Sequence, residues 1–301
     1  MSRLHKAVTA YLHTRRVLGF KLERAGRLLP AFATYLAAHR SGFITCRLAG
    51  DWARQPADGQ PAWWAERLSI VRCFAKYMHA EDSRHEIPPV ALIPPVTRRA
   101  VPVIYSAREL SSLLAAAQQL RAPLCAATYE TLFGLLAATG IRVGEAISLE
   151  LRDVDLRERL LVIRETKFGK SREVMLHASV VHRLRRYAAL RDEHHPRPGA
   201  PNFFLSLVGT GLIYKNVHLV FQRLCRASGV RGRIHHRRHT FATRTLLRWH
   251  KEGIDIDRWL PRLSTYLGHV APESTYWYLT AVPELLAIAR QKLERSSRSV
   301  S

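Results

Sequence analysis

Five prolines fall within the sixteen residues from Ile87 to Pro102. Proline has no backbone N–H and a fixed φ, so this stretch cannot be helix and is expected to be stiff and extended. It cuts a chain of 301 residues into two blocks that each carry helical periodicity. That length already exceeds a typical single domain. The expected layout is a helical domain over 1–92, a linker over 93–104 and a second domain over 105–301.

In the first block Val8, Tyr11 and Leu12, continued by Val17 and Leu18, form one apolar stripe. Leu28, Leu29, Phe32, Tyr35 and Leu36 form another, and Leu68, Val71, Phe74, Ala75 and Met78 a third, all at helical spacing. Pro56 and Pro61 bracket a loop, with Pro61 suited to the first turn of a helix. The second block opens on Ser106-Ala107-Arg108-Glu109, a capping box. Thr128–Thr139 predicts a helix closed by Gly140 in a left-handed cap. Leu160–Arg164 and Arg172–Leu176 predict two strands joined by a turn at Thr166–Lys170. Helices are expected again over 178–191, 215–227, 238–250, 256–267, 272–279 and 283–294. The fold class is therefore mainly α, with a small β-sheet in the C-terminal domain.

Charge narrows the partner. Lys and Arg outnumber Asp and Glu by 47 to 24. The excess is spread along the chain: residues 1–95 hold 14 basic and 7 acidic residues, and residues 96–301 hold 33 and 17. Such a balance points to a polyanion, of which nucleic acid is the commonest. The four cysteines have no C-x-x-C spacing and are expected to be reduced thiols. No long apolar run or leader-like segment is visible, which points to a soluble, intracellular protein without membrane contact.

The residues that carry chemistry lie in the second block. Arg142 follows Gly140, with Glu145 one turn along the same face, placed either as a surface ion pair or as the group that holds the arginine fork. Lys167 sits on the predicted turn, with Lys170 as its rival. His235-His236-Arg237-Arg238-His239 follows, then Leu267-Gly268-His269, then Tyr278 nine residues after that histidine. Guanidinium forks match phosphate oxygens and stay charged, and a tyrosine hydroxyl can form a covalent intermediate. Tyr276 is the rival nucleophile on another helix face. The histidine cluster lacks a Cys or carboxylate partner set at ligand spacing, so neither metal nor cofactor is expected.

This ordered set resembles the signature of the tyrosine recombinases, the phage-integrase-like family. The matches are Arg142, Lys167, His235, Arg238, His269 and Tyr278, across roughly residues 130–280. The resemblance implies a SAM-like core-binding domain before the catalytic domain. It also implies a site-specific recombinase that cuts and rejoins double-stranded DNA through a 3′-phosphotyrosyl link, without metal or ATP, for a mobile element. In these roles Arg142 and Arg238 neutralise phosphate charge, and Lys167 protonates the leaving oxygen. His235 accepts the Tyr278 proton or assists the acid, and His269 donates to the phosphate. A tetramer on DNA, a monomer in free solution, and accessory or sister recombinases follow as expectations, in the cytoplasm at the nucleoid. Relaxation by a type IB topoisomerase and a non-catalytic DNA-binding accessory are the alternatives. Arg98, Arg99, Lys170 and Arg237 are candidate DNA contacts. Arg237 stands where the family usually has an apolar residue, so it either faces phosphate or alters local packing. The helix after Tyr278 docks either in its own subunit or on a neighbour.

Overall fold

The computed structural model describes residues 3–55, 57–94, 103–164, 171–269 and 273–281. The chain divides into two compact units, Met1–Arg99 and Ala100–Ser301.

The first unit is four helices: α1 (Arg3–Val17), α2 (Glu23–Ala38), α3 (Cys46–Arg54) and α4 (Pro61–Glu81). Their apolar stripes meet in one core built on Leu4, Val8, Leu29, Phe32, Trp52, Leu68 and Phe74. Each large side chain removed from water there contributes about 1.5–3 kcal/mol. Pro61 is the first residue of α4, where its missing N–H costs nothing. Val17 and Leu18 do not extend the stripe of α1; the helix ends at Val17 and both side chains are exposed. The periodicity did not reveal α3, whose nine residues hold too few turns for a clear repeat. Its start is fixed by Thr45, whose hydroxyl accepts the Leu48 N–H at 3.2 Å.

Arginines tie the proline-rich stretch to this unit. Prolines cannot donate, yet their carbonyls accept: Arg72 donates to Pro88 O at 2.6 Å and to Pro89 O at 3.1 Å. Arg54 donates to Leu92 O at 2.9 Å. Ile93 is buried in the first unit's core, so the described chain leaves this unit later than the expected boundary at 92.

The second unit begins with α5 (Ala107–Gln118), whose Ser106–Glu109 capping box is formed in both directions. It continues through α6 (Pro123–Thr139) and the short α7 (Val143–Ile147) into a three-stranded antiparallel meander: β1 (Val154–Asp155), β2 (Leu160–Ile163) and β3 (Arg172–Met175). Leu161 faces Val174 across the β2–β3 ladder, and both are buried. The two-residue β1 was too short to be seen in the sequence. Then follow α8 (Ala178–His194), α9 (Tyr214–Ser228), α10 (His236–Lys251), α11 (Ile256–Leu267) and α12 (Glu273–Ala281). The main core packs α5, α6, α8 and α9 against the sheet. A smaller one joins α10, α11 and α12 around Leu246, Leu260, Leu263 and Tyr278. The helix expected over 283–294 lies outside the described residues. All four cysteines are free; Cys73 is exposed and none is fully buried, so they are less deeply packed than their residue type suggests.

Candidate active site

The site grows from the end of α6. Gly140 caps that helix at φ +65°, and an added Cβ would lie 2.6 Å from the Phe241 ring. The reversal brings Arg142 to the N-terminal end of α7. Its backbone N–H donates to Glu145 Oε2 at 2.8 Å and its Nη1 to Oε1 at 2.8 Å. Its Nη2 donates to Gly268 O at 3.0 Å. The same carboxylate takes Arg172 from β3 on both oxygens, at 3.2 and 2.7 Å. Arg172 Nε donates to Tyr266 O at 2.8 Å. Glu145 thus holds two guanidiniums, of which Arg142 keeps 38% of its side chain exposed. Burial pushes the Glu145 carboxyl up, but the two arginines and the Arg142 N–H outweigh it, and the group sits below its ordinary value.

Arg238, in the first turn of α10, closes the cradle. Its Nη1 donates to Gly140 O at 2.9 Å and its Nη2 to Leu267 O. Three arginines, Arg172, Arg238 and Arg142, therefore satisfy the successive carbonyls of Tyr266, Leu267 and Gly268 at the end of α11, which have no partner within that helix. Burial brings Arg238 down to about 10, so it remains cationic at neutral pH.

Beyond Gly268, His269 Nδ1 meets the Thr275 hydroxyl at 2.7 Å. That bond fixes the ring and leaves Nε2 as the nitrogen available to a ligand. Burial and the charges of Arg238, Arg142 and Arg172 hold His269 down to about 4. Its ring stacks on Tyr278 with centroids 6.2 Å apart. Tyr278 is only 2% exposed. Burial raises its phenol, while the nearby Arg238 and Arg142 guanidiniums pull the other way. The phenol oxygen also lies 3.1 Å from His239 Nδ1.

The structure thus brings Arg142, Glu145, Arg238, His269 and Tyr278 together. His235 is exposed at the start of α10; partial burial, Arg238 and Arg142 lower its imidazole. Tyr276 is 49% exposed, whereas Tyr278 is buried. Lys167, Lys170, Arg98 and Arg99 lie outside the described residues. Arg237 is corrected: as a DNA contact it would need to face solvent, but it is 1% exposed. Its guanidinium is sandwiched between Phe133 and Phe221 at 4.4 and 4.6 Å, where position along α10 turns it into the core.

Three contributors were missed in the sequence: Arg172, Thr275 and His239. Arg172 shares a strand face with buried Val174, and that alternation was the available signal. Thr275 offered none, because its role depends on how α12 meets α11. His239 was weighed only as a metal ligand; among the described residues no cluster of three His, Cys, Asp or Glu side chains could hold one. Nor is any described helix long and apolar enough to cross a membrane.

Fixed guanidinium donors around a tyrosine hydroxyl suit phosphoryl transfer, in which charge builds on the non-bridging oxygens. Comparison with known proteins agrees. The Phage integrase family matches residues 105–284. The chain is 45% identical to y4rB of Sinorhizobium fredii (strain NBRC 101917 / NGR234), named as an integrase/recombinase, over 98% of both chains. It is 27% identical to tyrosine recombinase XerD of Brucella abortus biovar 1 (strain 9-941), over 88% of this chain and 85% of that one. The Tn1549 transposon integrase, solved with transposon right end DNA, shares the fold at a TM-score of 0.70 and 16% identity, over 98% and 99% of the two chains. The chain therefore belongs to the phage integrase family, the tyrosine recombinases, enzymes that cleave and rejoin DNA.

Proposed function

We propose that Tyr278 is the nucleophile of a site-specific recombinase acting for a mobile element. The phenol oxygen attacks a DNA phosphodiester; the Oη–P bond forms and the P–O5′ bond breaks. The 5′-oxygen leaves as a hydroxyl, and the 3′-phosphotyrosyl link retains the bond energy for rejoining. Arg142 and Arg238 take the non-bridging oxygens, giving up their bonds to Gly268 O and Leu267 O to do so. His269 Nε2 donates a third hydrogen bond, and Lys167 protonates the leaving oxygen, since an ammonium can lose its proton and a guanidinium cannot. Recombination joins two duplexes, so the working assembly is a tetramer on DNA formed from monomers, at the nucleoid.

The observation that carries this reading is Tyr278 itself, buried with its oxygen under the field of Arg238 and Arg142. A tyrosine kept for packing alone gains nothing from that placement. The test is covalent trapping on a pool of nicked DNA duplexes of randomised sequence. A denaturant-resistant adduct should form with the wild type and vanish in Tyr278→Phe, and the trapped DNA then identifies the site. An adduct that survives the substitution would move the role to another residue. Salt-sensitive DNA binding without any adduct would favour an accessory protein, and relaxation of supercoils at no defined site would favour a topoisomerase.

A further inference from the structure

We propose that His239 is the group that takes the proton from Tyr278 during strand cleavage, an inference that rests on Tyr278 being the nucleophile. His239 Nδ1 lies 3.1 Å from the phenol oxygen, within the reach expected of a general base. Arg238, whose charge also bears on that oxygen, can only donate. It cannot take the phenol's proton, which leaves Nδ1 as the acceptor. The imidazole is set in place by neighbouring rings: Trp277 meets it edge-on with centroids 5.3 Å apart, and His236 lies at 6.1 Å.

The rival histidines are placed otherwise. His269 spends Nδ1 on Thr275 and lies stacked on the Tyr278 ring, so its nitrogens do not meet the phenol oxygen. His235 is exposed at the helix start. The charged and titratable groups around His239 are His235, His236 and Arg238 on its own helix, His269 at the end of α11, and Tyr278 on α12. Burial first, and then these cationic neighbours, hold the imidazole down to about 4, so its lone pair is present throughout the neutral range. When phosphate occupies the cradle its negative charge offsets Arg142 and Arg238, and the imidazole becomes more basic at the moment it is needed.

The step balances. Oη bonds to phosphorus, the P–O5′ electron pair leaves on the 5′-oxygen, that oxygen takes its proton from the general acid proposed above, Lys167, and the phenol proton moves to Nδ1. Rejoining reverses each transfer, with the imidazolium returning its proton to Oη.

The experiment follows adduct formation by the full-length protein on nicked duplexes of randomised sequence. A 5′-bridging phosphorothiolate at the cleavable position makes the leaving group a thiolate, which departs without an acid and isolates the nucleophile's activation. His239→Ala should cleave on the order of 10²-fold more slowly, and added neutral imidazole should restore the rate. His239→Asn keeps an acceptor near Nδ1 but cannot take a proton, so it should fold, bind DNA and remain slow. Wild-type cleavage by His239→Ala, recovery in His239→Asn, or a slow His239→Ala that imidazole does not help would each overturn the proposal, while loss of the adduct in Tyr278→Phe kept the nucleophile reading intact. An adduct in Tyr278→Phe, or none in the wild type, would bring down both.

Discussion

Glu145 and Arg172 face each other end on, each carboxylate oxygen engaged by one terminal guanidinium nitrogen, with about a tenth of each side chain exposed. This pair joins α7 to β3, and the same carboxylate aims Arg142. Removing one member of a buried pair leaves the other uncompensated, which costs about 3–5 kcal/mol. Glu145→Ala is therefore expected to lower the unfolding midpoint of the second unit in urea and to slow adduct formation. The pH dependence has a definite sign. The folded carboxyl lies below its ordinary value, so its stabilisation is complete above that value, near 4.5, and is lost as pH falls through the folded one. Glu145→Gln should lack that acid-side loss when unfolding is followed between pH 6 and pH 3.

Arg142 and Arg238 are predicted to separate when each is replaced by alanine. Arg142 keeps a good part of its side chain in solvent, whereas Arg238 is buried and serves Gly140 O and Leu267 O. Losing a fixed donor to the transition state costs on the order of 10²–10³ in rate, and both variants should show it in trapping rates. Arg238→Ala should also lose more stability than Arg142→Ala, by about 1–3 kcal/mol, because two carbonyls are left without their donor against Gly268 O alone for Arg142. Equal melting temperatures for the two variants would contradict this division.

The sequence disclosed those parts of the molecule whose signal is local. The stripes of α1, α2 and α4, the Ser106 capping box and the Gly140 cap each depend on neighbours a few residues away. The motif residues were legible for the same reason, as short runs at fixed spacing. Arg172 and Thr275 were not, because their partners Glu145 and His269 reach them through tertiary packing. Arg237 shows the opposite failure. A basic residue beside two motif residues resembled a ligand contact, yet the hundred degrees per residue of an α-helix turns position 237 away from 238 and into the Phe133–Phe221 side of the core.

Gly140 is predicted to be irreplaceable on two independent grounds. Its φ of +65° disfavours any side chain, and an alanine Cβ would fall 2.6 Å from Phe241 Cδ1. The turn it makes also supplies the carbonyl that Arg238 binds. Gly140→Ala should cost at least about 1 kcal/mol from backbone strain alone, with more from the displaced ring. Thermal unfolding and the trapping rate should fall together; a variant as stable and as fast as wild type would show that the turn tolerates another path.

Arg237 leads to the most counterintuitive expectation, because removing a positive charge from a DNA-acting protein should improve its stability and leave DNA binding alone. All three of its guanidinium nitrogens are buried without a hydrogen-bond partner. Burial lowers the group only to about 10, so it is still charged at neutral pH. The two ring faces return about 0.5–2 kcal/mol each, against a desolvation penalty of several kcal/mol for a buried ion. Arg237→Met fills the same slot between Phe133 and Phe221 with a flexible apolar chain. Exchanging a buried ion for a packed apolar group is typically neutral to about 4 kcal/mol stabilising, a rise in melting temperature of up to roughly 10 °C for a unit of this size. Affinity for DNA and its dependence on salt concentration should match wild type. Had the guanidinium reached a phosphate, the slope of log affinity against log salt would shrink by about one. Titrations of wild type and Arg237→Met on the same duplex at several salt concentrations distinguish the two, and parallel lines with a higher melting point are the result expected of a core residue.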